Sequence, residues 1–380
     1  VVGEMYRETW AEINLDAIKY NITQIKEKLP QETGIIAVVK ANAYGHGLVP
    51  IAKKALESGA NALAVAILEE AMILREASIT APILVLGFVP AKYALLAAEN
   101  NITLTVFQRD WLEELGEYQL VKPVNIHIKL DTGMNRIGVQ SKDELLNLIR
   151  EIANNKNIRI TGIFTHFATA DAKELDFYYE QTERLEELLY VFKKQSKEEV
   201  IVHVGNSAAS LRFPESMHNY IRFGISMYGL YPSKDVRQEN SVDLKPVFSL
   251  HSRLIHVKRI TKGESVSYGR TYVAEKDEWI GTIPIGYGDG WSRKLQGMSV
   301  LVNGRRMPIV GRVCMDQMMI RLDEAYETGT EVVLIGEQGN TVIEMDEVAE
   351  YLDTINYEIP CMINERVPRI YVESGKKQSD

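Results

Sequence analysis

Cysteine is nearly absent: Cys314 and Cys361 are the only two in 380 residues, and no C-x-x-C joins them. Neither a disulfide framework nor a thiolate zinc site fits that usage, and both thiols are expected to be reduced and buried. Long apolar runs are missing as well. Hydrophobic residues make up 46% of the chain, yet no window approaches the ~18 unbroken apolar residues that a membrane helix needs. There is no excess of positive charge, since 43 Lys and Arg face 52 Asp and Glu for a formal net charge of −9. Nucleic acid and anionic membrane are therefore excluded as partners, because both select clustered basic residues. The seven histidines form no H-E-x-x-H pair, so no metal is expected. The opening VVGEMYRETW lacks the basic-then-apolar order of a secretory signal, which points to a cytoplasmic protein. An initial Val with Met5 close behind points to natural translation from Met5, or to added residues before it.

What the chain does have is rhythm. Residues 9–15 alternate as TWAEINL, and Asp16 is placed as the cap of a helix running to about Leu29. Strand-like runs then recur at IIAVVK (35–40), NALAVA (61–66), PILVLG (82–87), ITLTVF (102–107), NIHIKL (125–130), ITGIFTHF (160–167), IVHVG (201–205) and NYIRFG (219–224). Helical segments lie between them, including IAKKALESG, EEAMILREA, KDELLNLIREIANN and a long one over about 173–197. Eight such units in succession match an α/β fold of the parallel (β/α)8 TIM type, with an open doubly wound sheet as the competing architecture. After the polar stretch SKDVRQENSVD (233–243), short alternating runs parted by Gly, Pro and Asp turns describe a mainly β domain, with one helix near MDEVAEYL. The expected division is a barrel over 16–243 and a β domain over 244–380, with residues 1–15 as a strand packing with the β domain.

Position within that rhythm singles out the chemistry. Lys40, Lys129, Arg136, His166, Asn206, Ser207, Arg222 and Gly224 fall at or just after the ends of the expected strands, where barrel enzymes carry their sites. Lys40 ends a buried run, and an ammonium there costs free energy unless it sits in a cleft or does chemistry. A lysine at a strand end otherwise simply reaches solvent. IVHVGNSAAS places Ser207 at a helix start, an anion site by its unpaired amides, although Asn206 or Ser207 could equally be a plain N-cap. RFGIS then puts Gly224 directly after the eighth strand, where bare backbone admits a ligand. Loops after strands seven and eight are the usual phosphate position in this barrel. GYGDG at 286–290 has the wrong spacing for a dinucleotide loop and is read as a turn.

VVKANAYGHG, with Lys40 at its third position, resembles the cofactor-lysine motif of the bacterial alanine racemases, in which the lysine forms a Schiff base with pyridoxal 5′-phosphate. Further motifs in family order run from about Tyr6 to Tyr371. The resemblance implies phosphate or ring contacts at Tyr44, Asn206, Ser207, Arg222, Gly224, Ile225 and Tyr357, and a catalytic tyrosine at Tyr268 in SVSYGRTY. It places Arg136 of HIKLDTGMNRIG and the Met315 backbone of GRVCMDQ on the substrate, and Tyr287 and Tyr357 at the entryway. It also links Tyr268, His166 and Arg222 in one network, and makes Lys129 a candidate for carbamylation. Finally it implies a homodimer with shared sites, alanine as substrate, and D-alanine supplied to peptidoglycan.

Racemisation removes a proton from one face of Cα and returns one to the other, so two bases are wanted, here Lys40 and Tyr268. A phenol titrates near ~10, so a tyrosine working as a base at neutral pH must have its pKa lowered by about 3, a bias of roughly 4 kcal/mol toward the phenolate. His166 and Arg222 are the candidate positive charges. Without the resemblance, Tyr268 reads as strand packing, His166 as a satisfied strand histidine, Arg222 as a strand-end ion pair and Lys129 as the partner of Asp131. A guanidinium facing the pyridine nitrogen can only donate, which opposes a decarboxylase that would place a carboxylate there. The β domain opposes a non-catalytic cofactor carrier, which a barrel alone would serve. A racemase of broader or different specificity stays open.

Overall fold

The computed structural model describes residues 6–196, 198–239, 242–374 and 376–379. The chain divides into two compact units, one of residues 17–43 and 48–245, the other of residues 1–16, 44–47 and 246–380. Residues 1–5, on which the reading of Met5 falls, lie outside the described residues.

In the second unit, β1 (Thr9–Asn14) pairs antiparallel with Phe248–Arg253 and parallel with Arg369–Glu373. These strands belong to an eleven-stranded sheet that also takes in Glu278–Ile283, the Ser299–Val302 and Arg305–Val310 hairpin, Met318–Leu322 and Glu331–Gln338. The helix near MDEVAEYL is Met345–Leu352.

In the first unit, β2 (Gly34–Val38), β3 (Ala62–Val65), β4 (Ile83–Val85), β5 (Ile102–Val106), β6 (Val124–Lys129), β7 (Ile158–Phe164), β8 (Ile201–Gly205) and β9 (Tyr220–Phe223) form a closed barrel. Every described ladder in it is parallel, and β9 closes on β2 through Gly34 to Ala37. The doubly wound alternative is ruled out by that closure. Parallel strands are covered on both faces, and Ile36, Leu63, Leu84, Leu104 and Ile126 are all buried. Each such side chain contributes about 1.5–3 kcal/mol by leaving water. The N-terminal rim is tied by side-chain amides, with Ile35 N–H donating to Asn61 Oδ1 and Val202 N–H to Asn219 Oδ1, both at 2.8 Å. The C-terminal rim is left to the site.

Two local expectations need correction. Asp16 does not cap the first helix, Leu15–Lys26, but sits in its first turn, where a carboxylate favours the positive helix end, and it accepts the Ser374 N–H. Within the polar stretch after the barrel, Lys234–Glu239 is helical, and Asn240 and Ser241 lie outside the described residues. Nor are both thiols buried: Cys361 is exposed and Cys314 is half-buried.

Candidate active site

Lys40 stands two residues beyond β2 and is half-buried. Behind it Ala41, Asn42, Ala43 and Tyr44 have φ of 53°, 52°, 52° and 52°. Four L-residues in a left-handed turn cost roughly 1–2 kcal/mol each, so the turn persists only where contacts impose it. Ala41 N–H donates to Glu70 Oε1 at 2.6 Å, and Leu48 N–H donates to Asn42 Oδ1 at 2.8 Å. Glu70 also accepts from Ala66 N–H at 2.8 Å, so one carboxylate fastens the Lys40 turn to the end of the neighbouring strand.

Arg222, on β9, is fully engaged at its tip. Its Nη1 donates to His203 O at 2.7 Å and to His203 Nδ1 at 3.0 Å; its Nη2 donates to Thr165 O at 2.7 Å, with His166 Nδ1 and Val204 O both at 3.2 Å. Among the described residues nothing accepts from its Nε–H. Burial, then the charge of Arg136, lowers its pKa to about 9, so it remains a cation at neutral pH. That cation keeps its neighbours neutral. His166 is held well below the usual imidazole range by burial first, then by Arg222, Arg136, Lys129 and Lys40. His166 is therefore not a source of positive charge, and with Nδ1 accepting from Arg222 its proton is on Nε2.

Lys129 closes β6, with Nζ donating to Leu130 O at 2.5 Å. Burial, then Arg222, lowers its pKa to about 7. Asp131 is not its hydrogen-bonded partner: its Oδ1 accepts from Gly133 N–H at 3.1 Å and Asn135 N–H at 3.0 Å, shaping the loop that carries the exposed Arg136.

After β8 the two cradle residues divide the work. Asn206 is the N-cap of Ser207–Arg212, accepting from Ala209 N–H at 2.9 Å. Ser207 Oγ instead accepts from Gly224 N–H at 3.0 Å and Ser226 N–H at 3.4 Å, joining the loops after β8 and β9. The first helical amides, at Ser207 and Ala208, have no partner within the helix. Ile225 opens the buried turn Ile225–Tyr228, in which Ser226 Oγ is buried with no hydrogen-bond partner.

The other unit gathers its own candidates. Ser267 Oγ donates to Arg312 O at 2.6 Å, tying the Tyr268 turn to the Met315 loop. GYGDG is a short turn, Tyr287–Asp289, whose Tyr287 and Gly288 amides donate to Cys314 O and Met315 O at 3.0 and 2.8 Å. Gly286 makes that approach feasible, since a Cβ there would stand 2.2 Å from Cys314 O. Asp289 stabilises the turn, accepting from Gly286 N–H at 3.0 Å and from Arg7 at 2.7 Å. The segments carrying Tyr268, Met315 and Tyr287 are thus tied to one another, and the three residues are exposed by 71%, 53% and 42%. Tyr44 is buried, its phenol pushed up by burial and then by Cys361, and its ring lies 6.2 Å from that of Tyr357.

Glu70, His127, His203 and Ser226 escaped the sequence reading, and Asp131 entered it only as a partner for Lys129. Glu70, His127 and His203 act through contacts distant in sequence, whereas Ser226, inside RFGIS, carried a local signal.

A closed barrel with cationic and imidazole side chains gathered at its strand ends, joined to a β unit with exposed tyrosines, defines a class of two-domain barrel enzymes. Residues 13–232 match the family described as alanine racemase, N-terminal domain, and residues 247–371 its C-terminal domain. Alanine racemase 1 of Bacillus subtilis is 51% identical over 370 residues, covering 97% of this chain and 94% of that protein. The alanine racemase of Geobacillus stearothermophilus is 52% identical over 371 residues, with 97% and 95% covered. The crystal structure of alanine racemase from Bacillus anthracis with bound L-Ala-P superposes with a TM-score of 0.97 at 48% identity, covering 100% of this chain and 98% of that one. A histidine racemase from Leuconostoc mesenteroides superposes with a TM-score of 0.90 at 33% identity, covering 98% and 100%. The chain belongs to the alanine racemase family, and it is an isomerase.

Proposed function

We propose that this enzyme interconverts L- and D-alanine with pyridoxal 5′-phosphate as cofactor, using Lys40 of one copy and Tyr268 of a second copy as bases on opposite faces of Cα. The observation that carries the reading is the Arg222 clamp: four of its five N–H donors are spent on barrel groups, and Nε–H remains for a ring nitrogen. The phosphate end fits too. The orphaned Ser226 Oγ and the open amides at Ser207 and Ala208 are donors suited to an oxyanion, with Asn206, Gly224 and Ile225 shaping the cradle and Tyr44 and Tyr357 as further contacts.

Pyridoxal phosphate, when bound, supplies an electron-withdrawing ring that acidifies the substrate Cα–H. Lys40 would hold it through Nζ, and the same amine would take or return the Cα proton on one face. Tyr268 Oη serves the other face. Arg222 supplies the fixed positive charge, and His166 Nε2–H supplies a hydrogen bond, that favour a phenolate. Arg136 and the Met315 N–H hold the substrate carboxylate, and Tyr287 and Tyr357 narrow the entryway. The exposure of Tyr268, Met315 and Tyr287 in one chain suits a face that a second copy covers, giving a homodimer. The bacterial relatives, and a chain with no helix among the described residues able to cross a membrane, fit cytoplasmic supply of D-alanine to peptidoglycan.

Incubation with L-alanine in heavy water tests this. D-alanine carrying deuterium at Cα is expected, together with borohydride fixation of the cofactor at Lys40. The Leuconostoc structure motivates a parallel panel of serine and histidine, and faster turnover of either would replace alanine as the substrate. Retention of Cα protium, or a labelled peptide away from Lys40, would contradict the mechanism.

Lys129 carries a second expectation. An amine with its pKa near 7 is largely neutral above that pH, and neutral amine plus carbon dioxide gives a carbamate anion and a proton. The anion would orient Arg136. A carbon-13 bicarbonate signal lost in Lys129→Ala is expected to appear above about pH 7 and to fade below it as the amine protonates. A bare ammonium at pH 8 would contradict this.

A further inference from the structure

Two buried histidines remain once the proposed roles are assigned. His203 Nε2 lies 2.8 Å from His127 Nδ1, and His203 Nδ1 lies 3.0 Å from Arg222 Nη1. Only one direction of donation is possible along this chain. A guanidinium has no acceptor, so His203 Nδ1 must accept; its proton is then on Nε2 and is donated to His127 Nδ1, whose own proton is on Nε2. Burial first and Arg222 second hold His127 at about 3, which keeps it neutral. Burial, then His127 and Arg222, holds His203 well below the usual range. Phe164 stacks on the His203 ring at 4.6 Å and 11°, fixing its plane.

Two features of the backbone serve the placement of His127. The β6–β7 register slips there: Ile126 faces Ile160, but His127 faces Gly162, leaving Thr161 as an extra residue. Such a bulge re-aims the side chains beside it. Opposite the slip, a Cβ on Gly162 would stand 2.6–2.7 Å from three atoms of the His127 ring. A bare Cα is what leaves room for the imidazole.

We propose that His127 is a positioning residue for the reaction: by accepting from His203 Nε2 it fixes the His203 tautomer and, through it, the direction in which Arg222 presents its Nε–H. The inference rests on the reading that Arg222 faces the cofactor ring. Without an acceptor at position 127, the Nε2–H tautomer that the Arg222 contact calls for would leave a buried N–H unpaired. The other tautomer would set Nδ1–H against an Arg222 N–H, donor against donor, and turn the guanidinium away.

The test is ring-nitrogen NMR of the holoenzyme labelled with nitrogen-15 histidine, combined with kinetics of two variants. Both His127 and His203 are expected as Nε2–H tautomers. His127→Leu should mix the His203 tautomers and lower kcat about tenfold with KM little changed. His127→Asn, which keeps an acceptor near the Nδ1 position, should recover most of that loss. A wild-type His203 protonated on Nδ1, or Leu and Asn variants that both retain wild-type kcat, would overturn the proposal. Should the Leu variant not fold, the wild-type spectrum and the Asn variant still decide. Failure of the underlying reading looks different: a protein that binds no pyridoxal phosphate and racemises no amino acid, whatever its tautomers.

Discussion

Tyr268→Phe is expected to slow proton removal from one enantiomer of alanine by about 10²–10⁴-fold, the range for loss of a general base. The substitution deletes one oxygen from a side chain that is 71% exposed in the single chain, and exposed changes of that kind usually shift stability by less than about 0.5 kcal/mol. The turn beneath it is fixed by Ser267, not by the phenol. Cofactor content and thermal midpoint should therefore match the wild type. Hydrogen exchange at Cα, measured separately from each enantiomer, should show the defect on one side only, because Lys40 still serves the other. Equal losses from both enantiomers, together with lost cofactor, would mean that Tyr268 supports the structure instead.

Arg222→Ala is expected to harm both fold and chemistry. The deletion strands the carbonyls of Thr165, His203 and Val204, which now accept from the guanidinium. At about 1–3 kcal/mol for each buried group left unsatisfied, the loss should be about 3 kcal/mol or more. It also withdraws the charge that depresses His127, His166, His203 and Lys129, so all four should protonate more readily. Loss of one preorganised donor at the reacting system is expected to lower kcat about 10²–10³-fold. Arg222→Lys should recover part of the stability and little of the rate, since a single ammonium cannot reach the acceptors on β8 and those just beyond β7 and keep a further donor free. A folded Arg222→Lys enzyme with wild-type kcat would remove Arg222 from the mechanism.

Much of the barrel was legible in the sequence because parallel strands, buried on both faces, appear as compact apolar runs at even spacing. The weakest of these, around NYIRFG, is β9, only four residues long. Position also told in favour of the site: a lysine, an arginine and a histidine at strand ends stand out where the interior is aliphatic. What the linear order concealed was how these groups are held. Glu70 reaches the Lys40 turn from 29 residues away, and of the four left-handed residues Ala41 to Tyr44 only Asn42 has a tendency toward that backbone. The charge states were equally hidden. His166 read as a source of positive charge, but burial first, and then the basic side chains around it, led by Arg222, keep it neutral. Asn206 and Ser207 were interchangeable as caps until Gly224 and Ser226 claimed the serine hydroxyl.

Coexpression of Lys40→Ala with Tyr268→Phe most directly tests the claim that two copies share each site. Neither variant alone should racemise alanine. In a two-fold dimer with shared sites, a mixed pair assembles one site with both bases intact and one with neither. Random pairing should then restore about a quarter of wild-type activity. Activity that stays at the level of the single variants, in a preparation proven to contain mixed dimers, would place both bases in one chain and contradict the account.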